Sequence, residues 1–208
     1  MQTLATWLPA SRQLLDDSTA FAGYVNTRLL YLLALFEETE LLFGNNATGH
    51  LNGIYTQAPA MSTANANTAT DNFADTVGEA IGQLADIDVE ADGIVMNQRD
   101  WLTLRRTKTT GTALNGSYIF GDPLNDLTPR LWGLPVVATN SMTLGQFLVG
   151  GFRANCALYD RQSATVEISR EHSDYFVRNL AAILVEQREA LVVYRPTAFL
   201  KCGFPFGS

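Results

Sequence analysis

The chain has 208 residues, of which 47% are hydrophobic and 17% charged, and its formal net charge is −7. This length allows one large domain or two small ones around a real core, and the composition excludes wholesale disorder. An acidic balance lacks the basic footprint that neutralises phosphates, which argues against sequence-reading nucleic-acid binding.

Two cysteines, Cys156 and Cys202, make no disulfide framework. They read as buried or half-buried thiols in a reduced cytoplasmic setting. No basic segment follows Met1, and the longest apolar run, Leu29–Phe36, is far short of the roughly 20 residues that cross a bilayer. A soluble, non-exported protein with no membrane partner is expected.

The first predicted element is a long helix over Ser18–Phe43. Asp16, Asp17 and Ser18 offer cap oxygens, and Phe21, Val25, Leu29, Leu32, Leu33 and Phe36 recur on one helical face. Gly44 reads as a left-handed stop. At about 1.5 Å per residue the helix would be roughly 39 Å long, a spine able to carry other elements. Gly44–Asn72 is rich in Asn, Thr, Ala and Gly and reads as loops with a short strand at Gly53–Tyr55.

Asp71–Leu84 reads as a second helix, with Phe73, Val77, Ile81 and Leu84 on one face. A short buried strand follows at Gly93–Met96. Asn97–Thr107 reads as a helix with Trp101, Leu102 and Leu104 inward, and Lys108–Ser117 as a flexible loop. Short strands are expected at Trp132–Ala138, Phe147–Gly150 and Ala154–Tyr159. Ala164–Ile168 alternates, and Phe176–Arg188, Ala190–Tyr194 and Ala198–Leu200 also read as strands. Helix remains an alternative for Ala181–Ala190.

Motifs for single-chain chemistry do not emerge. His50 and His172 lie in polar stretches without metal-ligand spacing to Cys or carboxylate clusters, and there is no G-x-S-x-G or Walker loop. Asp86, Asp88, Glu90 and Asp92 alternate like a calcium loop. Ala91 and Asn97 occupy the positions where such a loop needs Gly and Glu, so an acidic turn is the better reading. Glu37 and Glu38 are adjacent on the spine helix and do not face each other, which gives no glycosidase-type pair. No cofactor, no metal and no enzyme activity are expected.

Several blocks carry a resemblance: Gly93–Lys108 (GIVMNQRDWLTLRRTK), Gly116–Pro123 (GSYIFGDP), Leu131–Met142 (LWGLPVVATNSM), Phe147–Phe152 (FLVGGF), Tyr159–Leu180 and Tyr194–Lys201 (YRPTAFLK). Together with the spine segment Leu8–Asn45, and in this order, they resemble the tailed-phage major capsid protein of the Hong Kong 97 type over nearly the whole chain.

The resemblance implies an α+β capsid fold in two joined parts. A peripheral part would comprise residues 1–45 and 165–190, with the spine helix and a small sheet. An axial part would comprise 46–164 and 191–208. It implies a virion protein that assembles in the host bacterial cytoplasm with copies of itself, as pentamers or hexamers, and meets packaged DNA only non-specifically. An encapsulin-like compartment shell shares the fold and is the alternative; neighbouring terminase, portal and protease genes would favour phage.

Some family members cross-link covalently, a lysine on a protruding loop joining an asparagine of one neighbour with help from a glutamate of another. The matching positions are Asn179 as acceptor and Glu186 as base. In a regular strand, residues seven apart point to opposite faces, which excludes a pair within one chain but not a site shared between subunits. The family's N-terminal arm and lysine-bearing loop have no counterpart here. The lysines are Lys108 and Lys201, neither in a matching loop. A truncated piece of a longer chain or a shortened prophage-borne copy is therefore expected, and either would need full-length subunits to close a shell or to cross-link.

Overall fold

A computed structural model describes residues 1–11, 13, 19–62, 73–108, 118, 129–169, 171–172 and 174–204. In chain order the elements are β1 (Gln2–Ser11), α1 (Thr19–Phe43), α2 (Ile54–Gln57), α3 (Phe73–Ala85), β2 (Gly93–Met96) and α4 (Gln98–Arg105). Then come β3 (Arg130–Leu131), β4 (Leu134–Ala138), β5 (Gln146–Gly150), α5 (Phe152–Asn155) and β6 (Cys156–Ser169). The last are α6 (Tyr175–Arg178), β7 (Leu180–Val193), a 3₁₀ turn (Pro196–Ala198) and β8 (Phe199–Gly203). The expected cap residues Asp16, Asp17, Ser18 and Asp71 lie outside the described residues, as does most of the Lys108–Ser117 loop.

The chain forms two compact units, each from two segments: Met1–Thr56 with Ala157–Val192, and Gln57–Cys156 with Val193–Ser208. The divisions differ from the expected ones. The first falls after Thr56, not after residue 45, because the segment past α1 folds back onto that helix. Gly44 donates its N–H to Glu40 and accepts from Gly53, both at 2.9 Å, and Asn46 donates to Leu51 at 2.9 Å. The others fall after Cys156 and Val192, near the start of β6 and the end of β7, because both long strands belong to the first unit's sheet.

The first unit is the spine helix against a three-stranded sheet of order β1-β7-β6. β1 and β7 are antiparallel, with Leu4 opposite Gln187, Trp7 opposite Leu184 and Ala10 opposite Ala181. Opposed residues share a face, so Leu4, Ile183 and Val185 point inward. They meet Val25, Leu29 and Leu33 of α1 and Leu51, with Phe36 and Leu41 at the margin. The helical repeat thus holds at Val25, Leu29, Leu33 and Phe36. Leu32 is instead exposed; 100° per residue places it off the centre of a stripe defined by steps of four.

Gly44 also departs from expectation. It is buried without a left-handed φ. A Cβ there would collide with the carbonyl of Leu51 and lie 2.6 Å from that of Glu40. The glycine serves close backbone approach, not a left-handed cap.

The second unit is a five-stranded sheet of order β3-β4-β2-β5-β8 with α3 packed on β5 and β8. β2 is parallel to β4 and antiparallel to β5, so α4 sits in the crossover a parallel pair requires. Its core includes Val77, Ala80, Leu84, Ile94, Met96, Phe147 and Phe199, all fully buried, with Phe147 and Phe204 stacked at 4.4 Å. Asn97 caps α4 by accepting from the Arg99 N–H at 2.8 Å. The buried residues of α4 are Asp100 and Leu104, while Leu102 is exposed, against expectation. Asp100 accepts from the Gly145 N–H at 2.7 Å, which holds the turn before β5 and compensates a buried carboxylate.

Three further expectations are corrected. Gly53–Tyr55 is not a strand: α2 begins at Ile54. Trp132 and Gly133 are not strand residues but a two-residue turn between β3 and β4, with φ of 53° and 81°. Positive φ at both central positions gives the turn whose twist matches a hairpin. Trp132 holds this strained conformation because its Nε1 donates to the Ala74 carbonyl at 2.7 Å and its ring covers Gly78. Ala154–Tyr159 is split, α5 ending at Asn155 before β6 begins. The alternative left open for Ala181–Ala190 resolves as strand.

Candidate functional site

The outward face of the first unit's sheet carries Glu186, one of the two residues singled out by sequence. β7 alternates with Ala181, Ile183 and Val185 buried inward, so Ala182, Leu184 and Glu186 share the outward face. Across β1, Ala5 stands opposite Glu186 and Trp7 opposite Leu184. A cavity of about 420 Å³ opens there, lined by Trp7, Ala182, Leu184, Glu167, Ser169, Glu171 and His172. Its lining combines apolar side chains with the carboxylates of Glu167 and Glu171.

Asn179 stands just before β7. It ends α6 in the left-handed conformation (φ 54°, ψ 41°), with its N–H donated to the Tyr175 carbonyl. Asparagine tolerates this conformation better than most side chains. The residue is exposed. The expected parity argument therefore fails, because Asn179 is not a strand residue. Distance replaces it: about 3.3 Å per residue along β7 sets Asn179 and Glu186 roughly 20 Å apart. Within one chain they cannot act on the same atom.

An aromatic ladder supports this region. The His172 ring lies 5.5 Å from Trp7 and 5.1 Å from Tyr175, and the Tyr175 N–H donates to the His172 carbonyl at 3.0 Å. An Arg178–Asp174 pair at 3.4 Å spans α6. Phe176 and Val177 are 85% and 86% exposed, unusual for large apolar side chains.

The other flagged residues have local structural work. Asp92 accepts from the N–H groups of Phe152 and Arg153 at 2.7 and 2.8 Å, so it caps α5. Asp86 and Asp88 shape the turn after α3, Asp88 with φ 56°. Cys156 and Cys202 are free thiols. Burial raises both, Cys202 to about 12, with Asp92 adding to the rise at Cys156. Lys108 lies over the Tyr118 ring at 5.0 Å. Lys201 sits in β8, its N–H donating to Pro59 at 2.9 Å.

Two polar groupings were missed by sequence reading: one is closed by the segment after α1 folding back onto that helix, and the other joins residues far apart in the chain. His50 Nδ1 lies 2.8 Å from Glu40 Oε1, and the other oxygen of the buried Glu40 accepts from the Leu51 N–H at 3.1 Å. Glu37, read only against its neighbour Glu38, instead meets Glu189 of β7. Glu189 is 1% exposed; burial, and then the charge of Glu37, raise its carboxyl to about 7.

The arrangement can present an amide acceptor and, roughly 20 Å along β7, a carboxylate; among the described residues it brings no nucleophile, base and oxyanion donor to one point. Comparison with known proteins identifies the family. Residues 1–204 match the phage capsid family, and the chain belongs to it. Over all 208 residues it is 43% identical to the major capsid protein of Enterobacteria phage HK97, of which it spans 53%, about half the length of that curated relative. In fold it is similar to the capsid of an empty GTA particle (TM-score 0.76, 20% identity, 98% of this chain and 73% of that one). It is also similar to a solved structure from Microbacterium phage Oxtober96 (TM-score 0.70, 16% identity, 97% of this chain and 72% of that one).

Proposed function

We propose that this chain builds phage shells: it is a structural subunit that associates with copies of itself in five- or six-membered rings and acts in the virion capsid, not as an enzyme. The observation that carries this reading is the family match over residues 1–204. The exposed Phe176 and Val177 support it, since soluble monomers rarely keep such groups in water. In this reading the first unit is the peripheral domain and the second the axial domain. Assembly takes place in the host bacterial cytoplasm, and packaged DNA is touched only without sequence preference.

A second role rests on Asn179, held out in solvent at the head of β7. It accepts an isopeptide bond from a lysine of a neighbouring subunit. The lysine Nζ attacks the Asn179 side-chain carbonyl, the new C–N bond forms, and ammonia leaves. Glu186 of a further subunit takes the proton the ammonium must lose before it can attack.

One experiment tests both. The chain is co-expressed with full-length capsid subunits of the 43%-identical kind. It is expected to be recovered in the particles seen by electron microscopy, and to appear in a covalent ladder on a denaturing gel that Asn179→Asp abolishes. Absence from the particles overturns the shell reading. Presence in the particles without a ladder removes only the cross-linking role.

A further inference from the structure

The seam between the spine helix and the sheet ends in an unexpected way. Along α1, steps of four run Val25, Leu29, Leu33, then Glu37. Along the inward face of β7, steps of two run Ala181, Ile183, Val185, Gln187, then Glu189. Both series begin apolar and end on a carboxyl, and the two carboxyls meet. Glu189 is almost wholly removed from water, yet its Oε1 has no hydrogen-bond partner. Its Oε2 receives only a long contact from Gln187 Nε2, at 3.4 Å.

The surrounding charges do not neutralise this site. Glu37 faces it from α1 and Asp160 from β6, both negative. On β7 itself, Gln187 is neutral, and Arg188 belongs to the alternate face with its Nε also buried and unpartnered. From β1, the residue opposite Glu189 is neutral Gln2. Glu40 is already engaged by His50 and the Leu51 N–H. An ionised Glu189 carboxylate, out of water and beside the carboxyl of Glu37, is strongly unfavourable, whereas one proton on it turns Glu189 into a donor to Glu37.

We propose that Glu37 and Glu189 share one proton across the helix–sheet seam, and that loss of this proton loosens the spine helix from the sheet, making the first unit a pH-responsive element. The direction follows from linkage. Glu189 binds its proton more tightly folded, at about 7, than the ordinary 4.5 it regains unfolded. Its stabilising contribution is therefore complete below about 4.5, falls as pH rises, and is gone above about 7.

The test is chemical unfolding of the whole chain at a series of pH values. The folding equilibrium constant is expected to fall by about tenfold or more between about pH 5 and pH 8, with Glu189→Gln abolishing the fall. His50 and His172 also lie in this unit, so His50→Gln and His172→Gln are made in parallel and should retain it. A pH-independent wild type, or a Glu189→Gln variant with an undiminished fall, overturns the proposal. Should Glu189→Gln not fold, a carbon-13 titration of the Glu189 carboxyl in the wild type decides. A midpoint near 7 supports the shared proton, and one in the ordinary carboxylate range, below about 5, overturns it.

Discussion

Gly44 is a residue at which backbone crowding alone dictates identity. Its Cα faces the Leu51 carbonyl so closely that even a methyl group has no room, and the Glu40 carbonyl blocks retreat. Both obstacles are backbone, held by the bonds Gly44 to Glu40 and Asn46 to Leu51. Unlike a flexible side chain they cannot swing aside. Gly44→Ala is therefore expected to destabilise the chain by about 1–3 kcal/mol, the ordinary range for overpacking, read as a lower denaturant midpoint with an unchanged slope. By contrast, Gly23→Ala meets nothing within 4 Å and lies inside α1, one turn from its start. It should be neutral or stabilising, by up to about 1 kcal/mol. If both changes behaved alike, crowding would not be the reason for Gly44.

At the scale of the element, the spine helix offers a direct comparison between adjacent residues. Leu33 is buried in the cluster with Ile183 and Val185, while Leu32 is 37% exposed. Leu33→Ala should remove about 2–5 kcal/mol, the transfer of the lost methyls plus the cavity left behind. Leu32→Ala should remove less than about 1 kcal/mol. Equal losses in unfolding experiments would mean that the helix presents a different face to the sheet. This element also shows what a sequence can convey. The four-residue recurrence of Val25, Leu29 and Leu33 is local information, and it marks both the helix and its buried face. The short strands Gly93–Met96 and Phe147–Gly150 were legible for the same reason, as brief apolar runs between breakers. Trp132 was not legible: its place in a hairpin turn depends on the Ala74 carbonyl, far away in the chain. Asn179 and Glu186 were visible only through resemblance, and the left-handed backbone of Asn179 was hidden inside an apolar run. The carboxyl pair was invisible because Glu37 and Glu189 are brought together by folding alone.

For the whole molecule, charge and surface act in opposite directions on association. Each copy carries a net charge of −7, so two copies repel at long range. Each also exposes large apolar side chains, Phe176, Val177, Trp7 and Tyr31 among them, whose burial against another copy is favourable. The first force is screened by salt and the second is not. The Debye length shrinks from about 30 Å at about 0.01 M to about 3 Å at about 1 M, so added salt removes the repulsion and leaves the apolar attraction. Self-association is thus expected to strengthen with sodium chloride, the weight-average mass from light scattering rising from that of the 22.8 kDa chain toward a ring of several copies. Sulfate should act more strongly than chloride at equal ionic strength, because its exclusion from apolar surface favours burial. Replacing Phe176 and Val177 together by serine should reduce the rise without affecting the fold, since both side chains stand in solvent. A mass that falls as salt is added would show instead that copies are joined chiefly by ion pairs, which salt weakens, and that the exposed apolar groups do not hold them together.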